Sequence, residues 1–419
     1  MLRSTAPPFT NDASSFEESS VHYSVDTTNL VLCCVAALAG FGNAFSVRLV
    51  GVMPVSEMVL MALAAYLGVC LALNQFVPAP LIATRLFAIF IVGQTVALGG
   101  YIFSDLYRGS APGDMIRGWA RMLFLAVDLF CIAFLFGKAR VVFVSYLAGV
   151  AASAGSVLVQ EPLFGDYWKF GVGYPLTILV LVLFPTFGRF PAIAGAVGIA
   201  AVHYWMDYRS LAVSCLAVGA LTLLSLFPRI IRRALTFAGV VGIIVAIPAL
   251  LRNAATSDNA RHGRSNAERS AMIQAAGEAV IASPFIGQGS WFSRSDVMDK
   301  FVELRTENAK LAGVGGFDET NGGEMAIHSQ ILVSLAEGGC FGGMFFVIYG
   351  CAIFWALHYC AVVREWDRVT TASLFLLISS LCALGFSPFS GPARVDIAVA
   401  TGVVLMLWRD RAETRVAIV

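Results

Sequence analysis

Arg209 in "MDYRS", Arg269 in "NAERSAM" and His328 in "HSQILVSLAEGG" are chemically capable side chains in a chain that is mostly apolar. An arginine grips a phosphate through two parallel N–H bonds. A neutral histidine can take a proton from a hydroxyl near pH 7. Arg209 and His328 stand where long apolar runs begin, and Arg269 stands in the first turn of an amphipathic stretch. Arg394, in "GPAR", opens another apolar run. Free N–H groups and the positive dipole end make helix starts favourable places for anions. Arginines gathered at several such starts point to a phosphorylated ligand, and a histidine among them supplies a base. Gln288, between Gly287 and Gly289, and Ser329, next to His328, are polar side chains able to bind the same ligand.

Each of these residues also has an ordinary role. Arg209 can snorkel to an interface or pair with Asp207. Arg269 can be a solvated charge on its helix. His328 can be a helix-end residue with Ser329 as N-cap. Arg394 can pair with Asp396 or with a lipid headgroup. Asp105, Arg108, Asp114, Arg117 and Arg121, in "SDLYRGSAPGDMIRGWAR", fit the same face and also fit interfacial pairing. Glu337 falls near the opposite helix face from His328 and reads as a hydrogen-bonded structural carboxylate. What favours chemistry is that the candidates fall on one side of a membrane.

That side follows from the elements that must position them. The chain of 419 residues is 58% hydrophobic and 13% charged, with mean hydropathy +0.78. Soluble domains carry about 25% charged residues. Runs free of Asp, Glu, Lys and Arg recur, among them 27–47, 58–84, 86–104, 141–160, 170–188, 338–363 and 369–393. Most are long enough to cross ~30 Å of hydrocarbon as helices, which satisfy every backbone group internally. The expected fold class is all-α, a polytopic membrane bundle of about 12 transmembrane helices. Their expected ranges are 28–47, 55–73, 84–104, 118–137, 140–159, 172–187, 190–206, 210–227, 234–251, 328–361, 370–388 and 394–408. Helices 1–9 thus occupy 28–251 and helices 10–12 occupy 328–408. Under this count Lys138, Arg140, Arg189, Arg229, Arg232, Arg233, Arg364, Arg368, Arg409, Arg411 and Arg415 share one side, which the positive-inside rule makes cytoplasmic. "PRIIRR" is the strongest anchor. Residues 1–27 read as a disordered cytoplasmic tail rather than a signal peptide, and 409–419 as a second cytoplasmic tail.

Residues 252–327 break the apolar pattern with eight basic and ten acidic residues. They form an expected outer, periplasmic loop with structure of its own. Met272, Ile273, Ala276 and Val280 recur at helical spacing, as do Val297, Met298, Phe301, Val302 and Leu304. Between the two stretches, "PFIGQGS" reads as a turn. A structured loop of this length is usually functional. The nine cysteines include no CxxC pair and read as small apolar packers, with no disulfide or metal framework expected. A net charge of +1 gives no reason to expect nucleic acid as a partner.

The order of the motifs resembles a known family. It is an Arg-Ser at a span border ("YRS", Arg209), then Arg-x14-Pro-hydrophobic-x-Gly-x-Gly ("RSAMIQAAGEAVIASPFIGQG", Arg269 to Gly289). His-Ser/Asn-x-x-Leu-x-x-x-x-Glu-x-Gly-x-x-Gly follows ("HSQILVSLAEGGCFG", His328 to Gly342). From about residue 190 to 395 this is similar to the bacterial O-antigen ligase and polymerase superfamily. The resemblance implies a transferase in the bacterial inner membrane with its site facing the periplasm. Such an enzyme moves a glycan from an undecaprenyl-diphosphate-linked donor to a sugar hydroxyl on lipid A-core or another glycan, without metal or other cofactor. It carries the family's two key arginines onto Arg209 and Arg269 and its key histidine onto His328. Arg209 and Arg269 would stabilise the departing diphosphate. His328 would take the acceptor proton, and direct displacement would invert the anomeric centre. Arg394, Gln288 and Ser329 would help to bind diphosphate or glycan. Met272 and Ile273 stand where many members have tryptophan, and "HS" replaces the commoner "HN". Ligase and polymerase both remain open.

Two other readings compete. One is a multi-spanning lipid-phosphate glycosyltransferase with a carboxylate base such as Asp105 or Asp207, often with a metal. The other is a lipid-linked oligosaccharide flippase or other transporter. Glu57, Arg85, Arg121 and Asp128 are the charges within or near spans that such a transporter would use, although no internal repeat is evident.

Overall fold

The computed structural model describes residues 27–48, 52–157, 167–238, 260–292, 295–311 and 327–416. These are almost entirely helical. The helices are α1 (Thr27–Gly42), α2 (Val55–Ala72), α3 (Arg85–Arg108), α4 (Pro112–Lys138), α5 (Arg140–Val157), α6 (Gly173–Leu183), α7 (Arg189–Trp205) and α8 (Arg209–Leu224). Then come α9, seen over 229–238, α10 (Ala260–Ala282), α11 (Ser295–Leu311), α12 (Gln330–His358), α13 (Thr370–Phe386) and α14 (Gly391–Val416). A hairpin of β1 (Ser46–Arg48) and β2 (Val52–Pro54) joins α1 to α2, with Val47 opposite Met53. The apolar pattern alone had run α1 on to residue 47.

Among the described residues, five segments are long and apolar enough to cross a membrane: Val55–Ala72, Arg85–Arg108, Pro112–Lys138, Gln330–Val363 and Gly391–Glu413. Thr27–Gly42, Arg140–Ser156, Gly173–Phe187, Arg209–Leu224 and Thr370–Phe386 are shorter apolar helices. At about 1.5 Å per residue the shorter helices fall somewhat below the ~30 Å hydrocarbon thickness. Helices thus stand at eleven of the expected positions, and most of 234–251 lies outside the described residues.

Several boundaries move. Helix α4 starts at Pro112 rather than 118, because proline suits the first helical position and Asp114 sits in the first turn. Helix α3 runs on to Arg108 and stops at Gly109, whose φ of 65° supplies the left-handed cap. Helix α14 continues to Val416, so Arg409 and Arg411 lie on a helix, not in a free tail.

Small residues let the helices approach closely. Gly100 on α3 faces Gly338 and Gly342 on α12, and a side chain there would strike the backbone of α12. Gly149 on α5 meets Ala37 of α1 in the same way. At one end of the bundle the basic residues expected on one side come together. Arg140 bonds Asp410 (2.8 Å), and Arg364 bonds Asp367 (2.6 Å) and Asp410 (3.5 Å). Arg229 pairs with Glu365 (3.3 Å), Arg232 donates to the Arg364 carbonyl (3.1 Å), and Arg189 lies over Trp366. Helices α8, α12 and α14 begin at the opposite end.

Candidate functional site

His328 is half-buried just before α12. Ser329 caps that helix: its hydroxyl accepts from the Leu332 N–H (3.3 Å) and donates to the Leu384 carbonyl (3.3 Å). Ser329 is therefore committed to the helix start and the α13 end, which fixes where His328 stands.

The His328 pKa lies below the ordinary histidine value. Burial is the largest cause, the positive charge of Arg269 adds to it, Glu268 opposes it, and Lys169 pushes down again. Arg269 and Lys169 therefore act on the same imidazole from different chain segments. Arg269 is exposed on α10, but that helix begins at Ala260, so Arg269 stands in mid-helix and not in the first turn expected from the sequence. Lys169 sits in the one-turn π segment Trp168–Val172 that leads into α6. Sequence reasoning missed Lys169. The available signal was its place in the short connection before the run 170–188, on the candidate side.

The Lys169 turn is held firmly. Trp168 Nε1 donates to His203 Nδ1 (3.0 Å). The Thr177 hydroxyl donates to the Gly173 carbonyl (2.7 Å) and lies 2.6 Å from His203 Nε2. With the Thr177 proton used, His203 must donate from Nε2, so this ring is neutral with one defined tautomer. Tyr208 packs edge-on against His203 with centroids 5.8 Å apart. Tyr208 immediately precedes Arg209, so the start of α8 is tied to the Lys169 turn.

Arg209 is exposed and bonds Asp207 across 3.2 Å. Asp207 adopts φ 56° to make the tight turn into α8. Helix α13 lies against both α8 and α12. The Leu384 carbonyl of α13 accepts from Ser329.

Two expected ligand residues are engaged elsewhere. Arg394 is buried and forms a fork with Glu57, Nε to Oε1 at 2.6 Å and the second nitrogen to Oε2 at 2.8 Å. Its partner is not Asp396, which accepts from Asn43 (3.4 Å). A buried charge needs a paired counter-charge, and Glu57 uses both donors. Gln288 is also buried, with its side-chain amide on the Ala279 carbonyl (3.1 Å) and its backbone N–H on the Ala336 carbonyl (2.8 Å).

Gln288 belongs to a strap, residues 284–291, that plugs a break in α12. At Gly339 the helix opens (φ 65°, ψ −162°). The freed backbone bonds the strap: Gly289 N–H to Glu337 O (3.1 Å) and Cys340 N–H to Pro284 O (2.8 Å). Glu337 accepts from Arg121 and from the Trp291 N–H (2.9 Å). Asp105 accepts from the Ser290 N–H (2.6 Å), the Ser290 hydroxyl (2.8 Å) and Trp119 Nε1 (2.8 Å). Arg108 donates to Gly287 O (2.9 Å) and Ser283 Oγ (2.6 Å). The two long motifs of the sequence are thus one joint. It fastens α10, the helix that carries Arg269, to the bundle. The role expected for Glu337, a hydrogen-bonded structural carboxylate, matches what it does.

The joint makes a prediction. Glu337→Ala leaves the Arg121 guanidinium buried without its partner, which costs about 3–5 kcal/mol. Gly339→Ala should fail similarly, because its backbone angles exclude a side chain that would run into the Phe285 carbonyl. Both variants should melt earlier in detergent and be cut by protease at 284–291 under conditions where the wild type survives. Unchanged melting and protection would mean that the joint contributes nothing.

Asp105, a candidate base, has both oxygens taken by the strap and by Trp119. Among the described residues no group of three or more His, Cys, Asp and Glu side chains converges where it would hold a metal ion. No protein-family model matches the chain, and no curated protein matches it.

Proposed function

We propose that this protein is a membrane glycosyltransferase of the O-antigen ligase and polymerase type. It moves a glycan from undecaprenyl diphosphate to a sugar hydroxyl of lipid A-core or of another glycan. The reading includes about 12 spans in the bacterial inner membrane, the basic end and both termini in the cytoplasm, and 252–327 in the periplasm.

The observation that carries it is the meeting of cationic segments on one imidazole. Arg269 and Lys169, a hundred residues apart in sequence, both act on His328, which stands at a capped helix start. Arg209 opens α8, whose start is tied to the Lys169 turn through Tyr208 and His203. Such a cluster suits a leaving diphosphate, whose negative charge grows as the anomeric C–O bond breaks. His328 is then neutral near pH 7 and accepts the proton of the attacking hydroxyl. The lipid diphosphate departs as the new C–O bond forms on the opposite face, inverting the anomeric centre.

Two observations weigh against the rivals. Asp105 is bound on both oxygens and lacks the freedom of a base. Glu57 and Arg121, charges a transporter would use, are paired with Arg394 and Glu337 in fixed contacts.

The test is purified protein with a lipid-linked oligosaccharide, with and without lipid A-core, and products weighed by mass spectrometry. A product heavier by one glycan is expected, and the acceptor that gains it separates ligase from polymerase. EDTA should leave the rate unchanged. No transfer to either acceptor, or a rate lost to EDTA and restored by a divalent ion, would overturn the reading.

A further inference from the structure

Helices α3 and α12 pack face to face, and each leaves a stripe uncovered. On α3 the exposed positions of the stripe are Ala88, Val92, Thr95, Gly99, Phe103 and Leu106, at helical intervals, with the exposed Arg85 one turn beyond them at the basic end. On α12 they are Phe341, Met344, Val347, Cys351 and Phe354. The α3 stripe rises about 27 Å, close to the ~30 Å of a hydrocarbon layer. Its upper end, away from the basic end, is Phe103 and Leu106.

The outer segment enters at that height. Gly100 faces Gly342, so in antiparallel helices Gly339 lies level with about Phe103. The Phe285 carbonyl sits against Gly339, and Cys340 donates to Pro284 (2.8 Å). Ile281 and Phe285 are 81% and 70% exposed. Ser283 between them is buried and bonds Arg108, whose guanidinium lies 5.6 Å over the Tyr107 ring. Tyr107 stacks on Phe103 at 6.2 Å, and both rings are exposed. The uncovered apolar surface thus continues from the spanning helices onto the outer segment. The sequence agrees: no charged residue occurs between Glu278 and Arg294.

We propose that the corner Ile281–Phe285 is seated in the bilayer, at the hydrocarbon edge of the leaflet away from the basic end. Ile281 and Phe285 contact lipid there. Aromatic and aliphatic side chains are favoured at that depth, and Arg108 keeps its donors on Ser283 and Gly287 beside them. The occupant is lipid because the surface is continuous with the stripes of helices apolar enough to span. The hydrophilic segment would then be tied to the membrane at its middle as well as at its ends. The inference stands apart from the proposed chemistry.

The experiment places p-benzoylphenylalanine at Ile281 and, separately, at Phe285 in the full chain, reconstituted in phospholipid vesicles. Val92 serves as the lipid-facing control and Thr306, exposed on α11, as the aqueous control. After illumination, intact mass is measured. Phospholipid adducts at 281 and 285 matching those at 92, with none at 306, are expected. Behaviour like that of Thr306 would overturn the proposal, and so would crosslinking to a second copy in place of lipid.

Discussion

Glycan transfer by the His328→Ala protein should fall by about two to four orders of magnitude, the usual worth of a positioned base. Binding of the lipid-linked donor should stay near the wild-type level. In the proposed reaction the two effects separate, because the histidine would act on the acceptor proton and the cations on the diphosphate. His328 lies outside the helical hydrogen bonds of α12, and Ser329, not His328, caps that helix. Its removal should therefore leave the helix start in place. Donor affinity and single-turnover rate, measured on the same purified variant, test this. A variant that turns over at the wild-type rate would make His328 a helix-end residue without a chemical role.

The helices were legible because lipid demands long charge-free runs, and such runs stand out in a chain with so few charges. Helix ends were less so. Pro112 and Gly109 gave local signals, but the continuation of α14 to Val416 crosses Arg409 and Arg411, which read as a tail. The β1–β2 hairpin was hidden because its strands are only three residues long, too short for periodicity to tell strand from helix.

The candidate site divides along similar lines. The expected topology puts His328 and Arg269 on one side, and Ser329 was readable as a cap. The turn at "PFIGQGS" was readable too: Gly287 and Gly289 have φ of 85° and 87°. What the turn bonds was not. Asp105 meets Ser290 and Arg121 meets Glu337 across separations of 185 and 216 positions, and no periodicity encodes such pairings. Arg394 had two nearby explanations, Asp396 and a headgroup. Its actual partner, Glu57, lies 337 positions away. Lys169 was passed over because a single lysine between apolar runs looks like any snorkelling residue. Only the folded chain brings it within electrostatic reach of His328.

Arg269→Ala should show two losses at once. Donor affinity should fall by about tenfold to a hundredfold, the range for removing hydrogen bonds to a charged group. The acid limb of the rate profile should also move. Burial first, and then the Arg269 charge, disfavour the imidazolium and hold the His328 pKa below the ordinary value of about 6.5. The neutral, proton-accepting ring then persists to lower pH. Without Arg269 the pKa rises, and transfer should fail at a higher pH than in the wild type. Arg269→Lys separates the two causes: the charge remains, so the limb should stay near its wild-type position. The planar fork is gone, so little affinity should return. Arg209→Ala should cost affinity and leave the limb in place, because Arg209 is not among the charges that move the His328 pKa. Donor titrations and single-turnover rates from pH 5 to 8 on these three variants would decide. An unmoved limb in Arg269→Ala would remove Arg269 as a charge acting on His328, and an unmoved affinity would remove it from the diphosphate.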